Sequence, residues 1–84
     1  MSYRIRFTRQ ASKDIKKLTP KLQDKLKDIL RKRLAVEPYS GKMLVGNLKG
    51  YYSVRLSYRD RVVYTIHDDE LVVLVVRAKT HYGE

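Results

Sequence analysis

The chain has 84 residues, no cysteine and a formal net charge of +10 at pH 7. That length supports one small core, so we expect residues 1–84 to form a single domain. The lack of cysteine excludes disulfides and thiolate metal sites. No apolar run reaches the roughly 20 residues of a membrane span, and residues 1–9 are too short and polar for a signal peptide. We therefore expect a cytoplasmic protein with no membrane contact.

The positive charge indicates an anionic partner. Nucleic acid, an acidic protein and an anionic membrane all attract a chain this basic, and charge alone does not distinguish them. A surface that is basic only for solubility explains the charge about as well.

The N-terminal segment predicts a strand and then a helix. Tyr3–Thr8 alternates apolar and basic residues, which is typical of a strand with one buried face. We expect three of its side chains to point inward: Tyr3, Ile5 and Phe7. Thr8 is a candidate N-cap for the helix, because its hydroxyl can accept a hydrogen bond from an N–H group of the first turn. The buried positions of this helix are predicted to be Ala11, Ile15 and Leu18.

A second helix is predicted to begin at Thr19-Pro20 and to run to about Ala35. Threonine is a good N-cap, and proline at the first helical position loses no hydrogen bond. One side of the helix is apolar: Leu22, Leu26, Ile29, Leu30 and Leu34. The other side is basic: Lys21, Lys25, Lys27, Arg31 and Lys32. Two helices joined by so short a link form a hairpin, and their apolar sides need one surface to cover.

Val36–Asn47 is predicted to be a loop region, because it is rich in turn-forming residues. Within it, the segment 43–45 (MLV) either adds a short strand or covers the edge of the core.

The sequence from Gly50 onward predicts an antiparallel meander of three strands. Residues 52–57 and 62–66 alternate apolar and polar positions, and Leu71–Val76 is apolar on both faces, as in a central strand. A two-residue turn at Asp68-Asp69 would pair Ile66 with Leu71, Tyr64 with Val73 and Val62 with Val75. The predicted fold is α+β: an N-terminal strand, a helical hairpin and then an antiparallel β-meander, with the helices packed on one sheet face.

The first hairpin of the meander carries an unfavourable pair of charges. If three residues form its turn, Val54 pairs with Val62 on the apolar face, and Arg55 lies opposite Arg61 on the other. Like charges directly opposite each other repel, so stability alone does not select this pairing. An anionic ligand explains it, and we expect a phosphate-binding site here.

Few side chains in the sequence are suited to catalysis. There is no glycine-rich phosphate loop and no HExxH motif, and His67 and His81 lie on different segments without a suitably spaced third ligand. We therefore expect no metal and no cofactor. His67 precedes a turn and is interpreted as facing solvent. His81, taken alone, is more often a terminal residue without a role.

Six side chains can converge on one open sheet face: Arg55, Arg61, Arg77, Lys79, His81 and Tyr82. Arginine binds phosphate through two parallel hydrogen bonds, imidazole can transfer a proton, and an aromatic ring can stack on a base. This set suits RNA cleavage without a metal. The 2′-hydroxyl would attack the adjacent phosphate, an arginine would stabilise the developing charge, and an acid would protonate the departing 5′-oxygen.

The sequence also resembles a known family. The run Gly46–Ser53 (GNLKGYYS), then Arg55, then Asp60–Tyr64 (DRVVY), and the ending Thr80–Tyr82 (THY) are similar to the RelE/ParE toxin superfamily, and within it to the Txe/YoeB branch. The resemblance spans nearly the whole chain. It implies a RelE-like fold and the toxin of a type II toxin–antitoxin pair, which inhibits translation by cleaving mRNA in the ribosomal A site.

The resemblance implies roles for single residues. Arg61 matches the arginine that stabilises the transition state, His81 the general acid and Tyr82 the terminal tyrosine. Arg55 matches a second arginine beside the phosphate. Four further cations are expected to contact RNA: Lys42, Lys49, Arg77 and Lys79.

One position departs from the family's pattern. The family's general base is a glutamate two residues before the leucine that aligns with Leu44, and that position here is Lys42. Lys42 could act as the base only after strong desolvation among like charges. More simply, it binds phosphate, while another group of the protein or of the ribosome activates the 2′-hydroxyl. Glu84 is a further candidate, and the sequence does not rank these alternatives.

The expected partners are the ribosome, mRNA and an acidic antitoxin encoded nearby. Lys21, Lys25 and Lys32, on the outward side of the second helix, are expected to bind ribosomal RNA. Two alternatives remain: a ParE-like toxin that inhibits DNA gyrase by binding, and a basic nucleic-acid-binding module without enzymatic activity. The terminal His-Tyr pair and the Gly46–Ser53 run favour the nuclease.

Overall fold

A computed structural model describes residues 2–80, with side chains through residue 78. Its elements in chain order are β1 (Arg4–Phe7), α1 (Arg9–Lys16), α2 (Pro20–Asp28), β2 (Lys42–Met43), β3 (Tyr52–Arg55), β4 (Asp60–His67) and β5 (Val72–Thr80). A π-helical segment, Ile29–Leu34, continues α2, and short 3₁₀ segments occur at Pro38–Ser40 and Gly46–Leu48. In this part of the chain, no helix is long and apolar enough to cross a membrane.

Both predicted helix starts are confirmed by their caps. Thr8 Oγ1 accepts a hydrogen bond from the Ala11 N–H at 3.0 Å, and Thr19 Oγ1 accepts one from the Leu22 N–H at 3.3 Å. Helical backbone extends close to the predicted end at Ala35. Its last turn is wider than an α-helix, because the Ala35 N–H bonds to the Leu30 carbonyl, five residues earlier.

The sheet is mixed, with the strand order β1-β5-β4-β3-β2. The strands from β2 to β5 form antiparallel pairs, which confirms the meander. β1 pairs in parallel with β5, so β5 is central, as its apolar residues on both faces indicated. The loop region adds the short edge strand β2, whereas Met43 and Val45 are exposed and do not cover the core.

Both helices cover one face of the sheet, as predicted. The helical part of the core consists of Ala11, Leu26, Leu30 and Leu34. The strands contribute Val54, Leu56, Val62, Tyr64, Val73, Val75 and Ala78. The prediction that Phe7 points inward was wrong, because its side chain is 44% exposed. Phe7 ends an edge strand just before α1, and it lines a surface cavity with Arg6 and Leu74.

The turn between β4 and β5 is longer than predicted. His67 pairs with Val72, so four residues (68–71) form the turn instead of two. Leu71 closes it with a left-handed φ of 53°, and its N–H bonds to the Asp68 carbonyl. The Asp68 carboxylate accepts hydrogen bonds from Tyr3 Oη at 2.6 Å and from Tyr39 Oη. These contacts tie the turn to the chain before β1 and to the loop before β2.

A β-bulge shifts the pairing further along the same strands. The irregularity lies between Val63 and Tyr64, and it leaves one extra residue on β5. The observed pairs are Ile66 with Val73, Tyr64 with Val75 and Val62 with Ala78. The predicted register was therefore wrong for two reasons: the four-residue turn moves each of these pairs by two residues along β5, and the bulge moves the partner of Val62 by one more. Alternation predicts which residues share a face but contains no sign of the turn length or of a bulge.

Candidate functional site

The predicted pairing of Arg55 with Arg61 is confirmed. Residues 57–59 form the turn between β3 and β4, and Val54 pairs with Val62 on the core face. Directly opposite residues in antiparallel strands have Cβ atoms roughly 4.5–5.5 Å apart, so the two guanidinium groups start from neighbouring backbone positions. Hydrophobic burial of the valine pair offsets the repulsion between the arginines.

Arg55 and Arg61 line a cavity of about 460 Å³, called here the basic pocket. The basic pocket is lined by Arg33, Ser40, Gly41, Lys42, Ser53, Val54, Arg55 and Arg61. Four of these residues are cations, and none of the described residues that line it is a carboxylate. The arrangement is therefore suited to an anion that can accept several charged hydrogen bonds, such as a phosphate.

Lys42 reaches the basic pocket because β2 pairs with β3, which sets Lys42 opposite Ser53. Its side chain is exposed. An exposed ammonium group can attract a phosphate through its charge. The geometry thus supports Lys42 as an electrostatic contact.

Arg33 is a pocket residue that sequence reasoning missed. It lies in the π-helical segment, where its Nε donates to Ser40 Oγ at 2.9 Å and its Nη2 donates to the Ser40 carbonyl at 3.0 Å. These bonds hold the guanidinium at the pocket wall. No motif in the sequence includes Arg33. The one hint of its place near the core was that it precedes Leu34, which was predicted to be buried and is buried.

The loop that carries Lys42 is held against the core by Tyr64. The buried Tyr64 hydroxyl donates to the Pro38 carbonyl at 2.6 Å. Burial raises the pKa of Tyr64 to about 12, so the hydroxyl keeps its proton as a donor at neutral pH. A Cβ atom on Gly41 would overlap this hydroxyl and approach the Ser53 carbonyl oxygen to 3.0 Å. Glycine is therefore required here by the close approach of the loop.

Ser53 contributes an unusual group to the pocket wall. The residue is only 3% exposed, and its Oγ has no hydrogen-bond partner among the described residues. Buried hydroxyl groups nearly always have a partner. Ser53 Oγ itself has less than 1 Å² of accessible surface, so a ligand in the basic pocket would contact it only after a movement of the pocket wall.

Arg77 lies outside the basic pocket. Its Nε donates to Asp14 Oδ2 at 2.8 Å, and the same carboxylate accepts from the Ala78 N–H at 3.1 Å and from Gln10 Nε2 at 3.1 Å. Burial alone raises the pKa of Asp14, but these hydrogen bonds and the charge of Arg77 outweigh it and hold the pKa below its usual value. The expected convergence of Arg77 with Arg55 and Arg61 on one face is thus not observed, because Asp14 engages its guanidinium. A contact between Arg77 and RNA stays a prediction.

The remaining predicted phosphate and catalytic residues are only partly described. The backbone of Lys79 pairs with Arg61. Lys49 is exposed after the Gly46–Leu48 segment and does not line the basic pocket. His81, Tyr82 and Glu84 lie outside the described residues, so their roles stay predictions.

Lys21, Lys25 and Lys32 are exposed on the outward side of α2 and its continuation, as predicted. His67 is exposed as well, and its Nε2 lies 2.9 Å from Thr65 Oγ1. Within residues 2–80, no group of three or more histidine, aspartate or glutamate residues is placed to hold a metal ion.

The structure so far is that of a small α+β protein with a pocket whose described lining is rich in cations. Comparison with known proteins narrows this class. The family model for the ParE toxin of the type II toxin–antitoxin system parDE matches residues 5–81. The chain therefore belongs to the RelE/ParE superfamily of type II toxins, in its YoeB-like branch.

Individual relatives agree with this assignment. The chain is 33% identical to Toxin YoeB of Streptomyces coelicolor over 90 residues, covering 94% of this chain and 99% of the relative. It is 37% identical to Toxin YoeB of a Synechocystis strain over 59 residues, covering 66% of each chain. A chain in the RelBE2 toxin–antitoxin complex of Mycobacterium tuberculosis has a TM-score of 0.87 at 30% identity. That match covers 96% of this chain and 100% of the other.

Proposed function

We propose that this toxin is a ribosome-dependent endoribonuclease that cleaves mRNA in the ribosomal A site without a metal ion. The observation that carries the proposal is the Arg55–Arg61 pair in a pocket whose described lining holds four cations and no carboxylate. Such a pocket stabilises the negative charge that develops on a phosphate during cleavage.

The proposed reaction is an internal transfer within the RNA. The 2′-oxygen bonds to the adjacent phosphorus, and the bond from phosphorus to the 5′-oxygen breaks, which leaves a 2′,3′-cyclic phosphate and a 5′-hydroxyl. Arg61 and Arg55 bind the non-bridging oxygens, and His81 gives a proton to the departing 5′-oxygen. The proton of the 2′-hydroxyl passes to a base outside the described lining of the basic pocket. Lys42 contributes electrostatic attraction, and Tyr82, the residue after His81 in the sequence, matches the terminal tyrosine of the family pattern.

The proposal includes an acidic antitoxin as the partner that neutralises the toxin. The structural relative from Mycobacterium tuberculosis was determined as a toxin–antitoxin complex, which supports such a partner. The net charge of +10 favours an acidic protein.

A second candidate function is inhibition of DNA gyrase by binding, without catalysis. The observation that favours it is the match of residues 5–81 to the model of the ParE toxin. This activity requires neither a general acid nor a residue that stabilises a transition state, so it should survive the replacement of His81.

The deciding experiment is primer-extension mapping of mRNA in a translation reaction with the wild type, Arg61→Ala and His81→Ala. We expect cleavage by the wild type and a loss of about 10²–10⁴-fold in each variant, which is typical for a positioned acid or a charge-stabilising donor. A gyrase supercoiling assay with the same proteins serves as the control. Inhibition of supercoiling by all three proteins, without mRNA cleavage, would establish the second candidate.

A further inference from the structure

The turn between β3 and β4 presents an aromatic ring that the fold does not use. Tyr58 is 91% exposed, and its side chain has no partner within the described part of the chain. The turn is closed by other groups. Ser57 Oγ donates to Asp60 Oδ2 at 2.8 Å and accepts from the N–H groups of Arg59 and Asp60 at 3.3 and 3.1 Å. Removing the Tyr58 ring would leave these hydrogen bonds in place.

Three arginines line the same cavity as Tyr58. Tyr58 lines a cavity of about 370 Å³ together with Arg55, Arg59 and Arg61, called here the turn cavity. Arg55 and Arg61 also line the basic pocket, so the arginine pair forms a wall common to both cavities. The described lining of the basic pocket contains no aromatic ring, whereas the turn cavity contains Tyr58.

We infer that the turn cavity is a nucleotide subsite, in which Tyr58 stacks on a base and Arg59 binds the phosphate attached to it. The inference rests on the proposed function. An RNA strand with its reacting phosphate in the basic pocket would continue past the arginine pair to the turn. Every base has a flat face that an aromatic ring can cover, so this subsite accepts any base and adds affinity without sequence readout.

An acidic protein segment is the competing ligand. Carboxylates would bind the same arginines, but they offer no flat surface to the ring. The combination of one exposed ring with three guanidinium groups is the pattern of single-stranded nucleic-acid sites, where stacking and phosphate contacts alternate. The geometry thus favours RNA over an acidic peptide.

The test measures binding of two labelled RNA hexamers by fluorescence anisotropy. One hexamer carries bases and the other is abasic. Both have 2′-O-methyl groups on every ribose, so neither can be cleaved by 2′-hydroxyl attack. We expect Tyr58→Ala to weaken binding of the base-bearing hexamer roughly 5- to 150-fold, the range given by about 1–3 kcal/mol of stacking per base. It should leave binding of the abasic hexamer unchanged, and Tyr58→Phe should bind both like the wild type.

Arg59→Ala tests the phosphate contact. It should weaken binding of both hexamers and reduce the slope of log affinity against log salt by roughly 0.7. Arg9→Ala is the matched control, because Arg9 is exposed on α1 and lines neither cavity. We expect its effect to be smaller than that of Arg59→Ala.

Three results would overturn the inference. They are wild-type affinity of Tyr58→Ala for the base-bearing hexamer, an equal loss on both hexamers, and a loss that appears instead on a hexaglutamate peptide. The last result would assign the turn to an acidic protein. Because the hexamers cannot be cleaved, these results are independent of the nuclease assay. If the protein binds the hexamers as expected but does not cleave mRNA, the subsite is supported and the proposed nuclease function is contradicted.

Discussion

Arg55 and Arg61 set two positive charges on neighbouring strands, and their repulsion is small enough for the fold to tolerate. Two unit charges about 5 Å apart repel by less than roughly 1 kcal/mol in water, and by about 3 kcal/mol at the effective dielectric of a protein surface. Burial of one valine side chain contributes about 1.5–3 kcal/mol, so the Val54–Val62 pair on the other face offsets this cost. The same repulsion makes the unliganded pocket attractive to an anion.

The sequence predicts the positions of some residues of the site but not of others. The Arg55–Arg61 pairing follows from strand alternation and a three-residue turn, both local properties. Arg33 and Ser40 meet through a loop that folds back onto the helix, and no local pattern contains that contact. Tyr58 was not predicted either, because an exposed turn residue is ordinary until its neighbours in space are known.

Lys42 provides a test of the base at the residue scale. Lys42→Glu restores the carboxylate of the family pattern, so we expect cleavage equal to or faster than that of the wild type. Lys42→Met removes one exposed electrostatic contact, and we expect a loss of only a few-fold, in line with about 1 kcal/mol for such contacts. The measurement is single-turnover cleavage on programmed ribosomes across a range of pH, with His81→Ala as the reference for a severe loss.

The opposite result would assign the base to Lys42. In that case the cleavage rate of Lys42→Met would be as low as that of His81→Ala. Its plot of rate against pH would also lose the rise that is caused by deprotonation of the general base.

At the scale of elements, Asp14 joins α1 to the last part of β5. Its carboxylate receives the Arg77 side chain and the Ala78 N–H, and β5 ends at Thr80, immediately before His81. The contact therefore fixes the path of the backbone that leads to the proposed acid. Sequence periodicity predicted both elements but not this contact, because an aspartate in a helix is expected at the surface until a strand edge is known to lie beside it.

The Asp14 contact predicts a pH-dependent stability. The pKa of Asp14 is lower in the folded protein than its ordinary value of 3.8, so the carboxylate stabilises the fold above that value. This contribution is lost as the pH falls below 3.8 through the lowered pKa. Asp14→Asn should thus reduce the free energy of unfolding by about 1.5–3 kcal/mol near pH 7, the range for hydrogen bonds to a charged group. The difference from the wild type should shrink in acid.

The measurement is urea unfolding at several pH values between 7 and 3. Asp24→Asn is the control, since Asp24 is exposed on α2 and the substitution removes the same formal charge. A constant difference between the wild type and Asp14→Asn at every pH would contradict the assignment of the pH dependence to this carboxylate.

At the scale of the whole molecule, the proposed function uses two of the regions where the described residues carry exposed basic charge. One is the basic pocket with the turn cavity on β2, β3 and β4, and the other is the outward side of α2 and its continuation. The sequence predicted this division, because apolar spacing fixes which side of a helix faces the core. The pairing of β1 with β5 and the final register needed the tertiary structure, because they depend on contacts between residues far apart in the chain.

The lysines of α2 give the prediction that belongs to this scale. If the helix binds ribosomal RNA, the double variant Lys21→Glu/Lys25→Glu should bind ribosomes more weakly. Its plot of log affinity against log salt should be flatter by roughly 0.7–0.9 for each phosphate that the variant no longer neutralises. The double variant Lys13→Glu/Lys16→Glu on α1 changes the net charge equally and is the matched control, because both lysines are exposed. Ribosome binding is measured by cosedimentation at several salt concentrations.

An unchanged slope for the α2 variant, or an equal change in both variants, would mean that the lysine-rich side of α2 contributes only general charge and makes no specific contact with the ribosome.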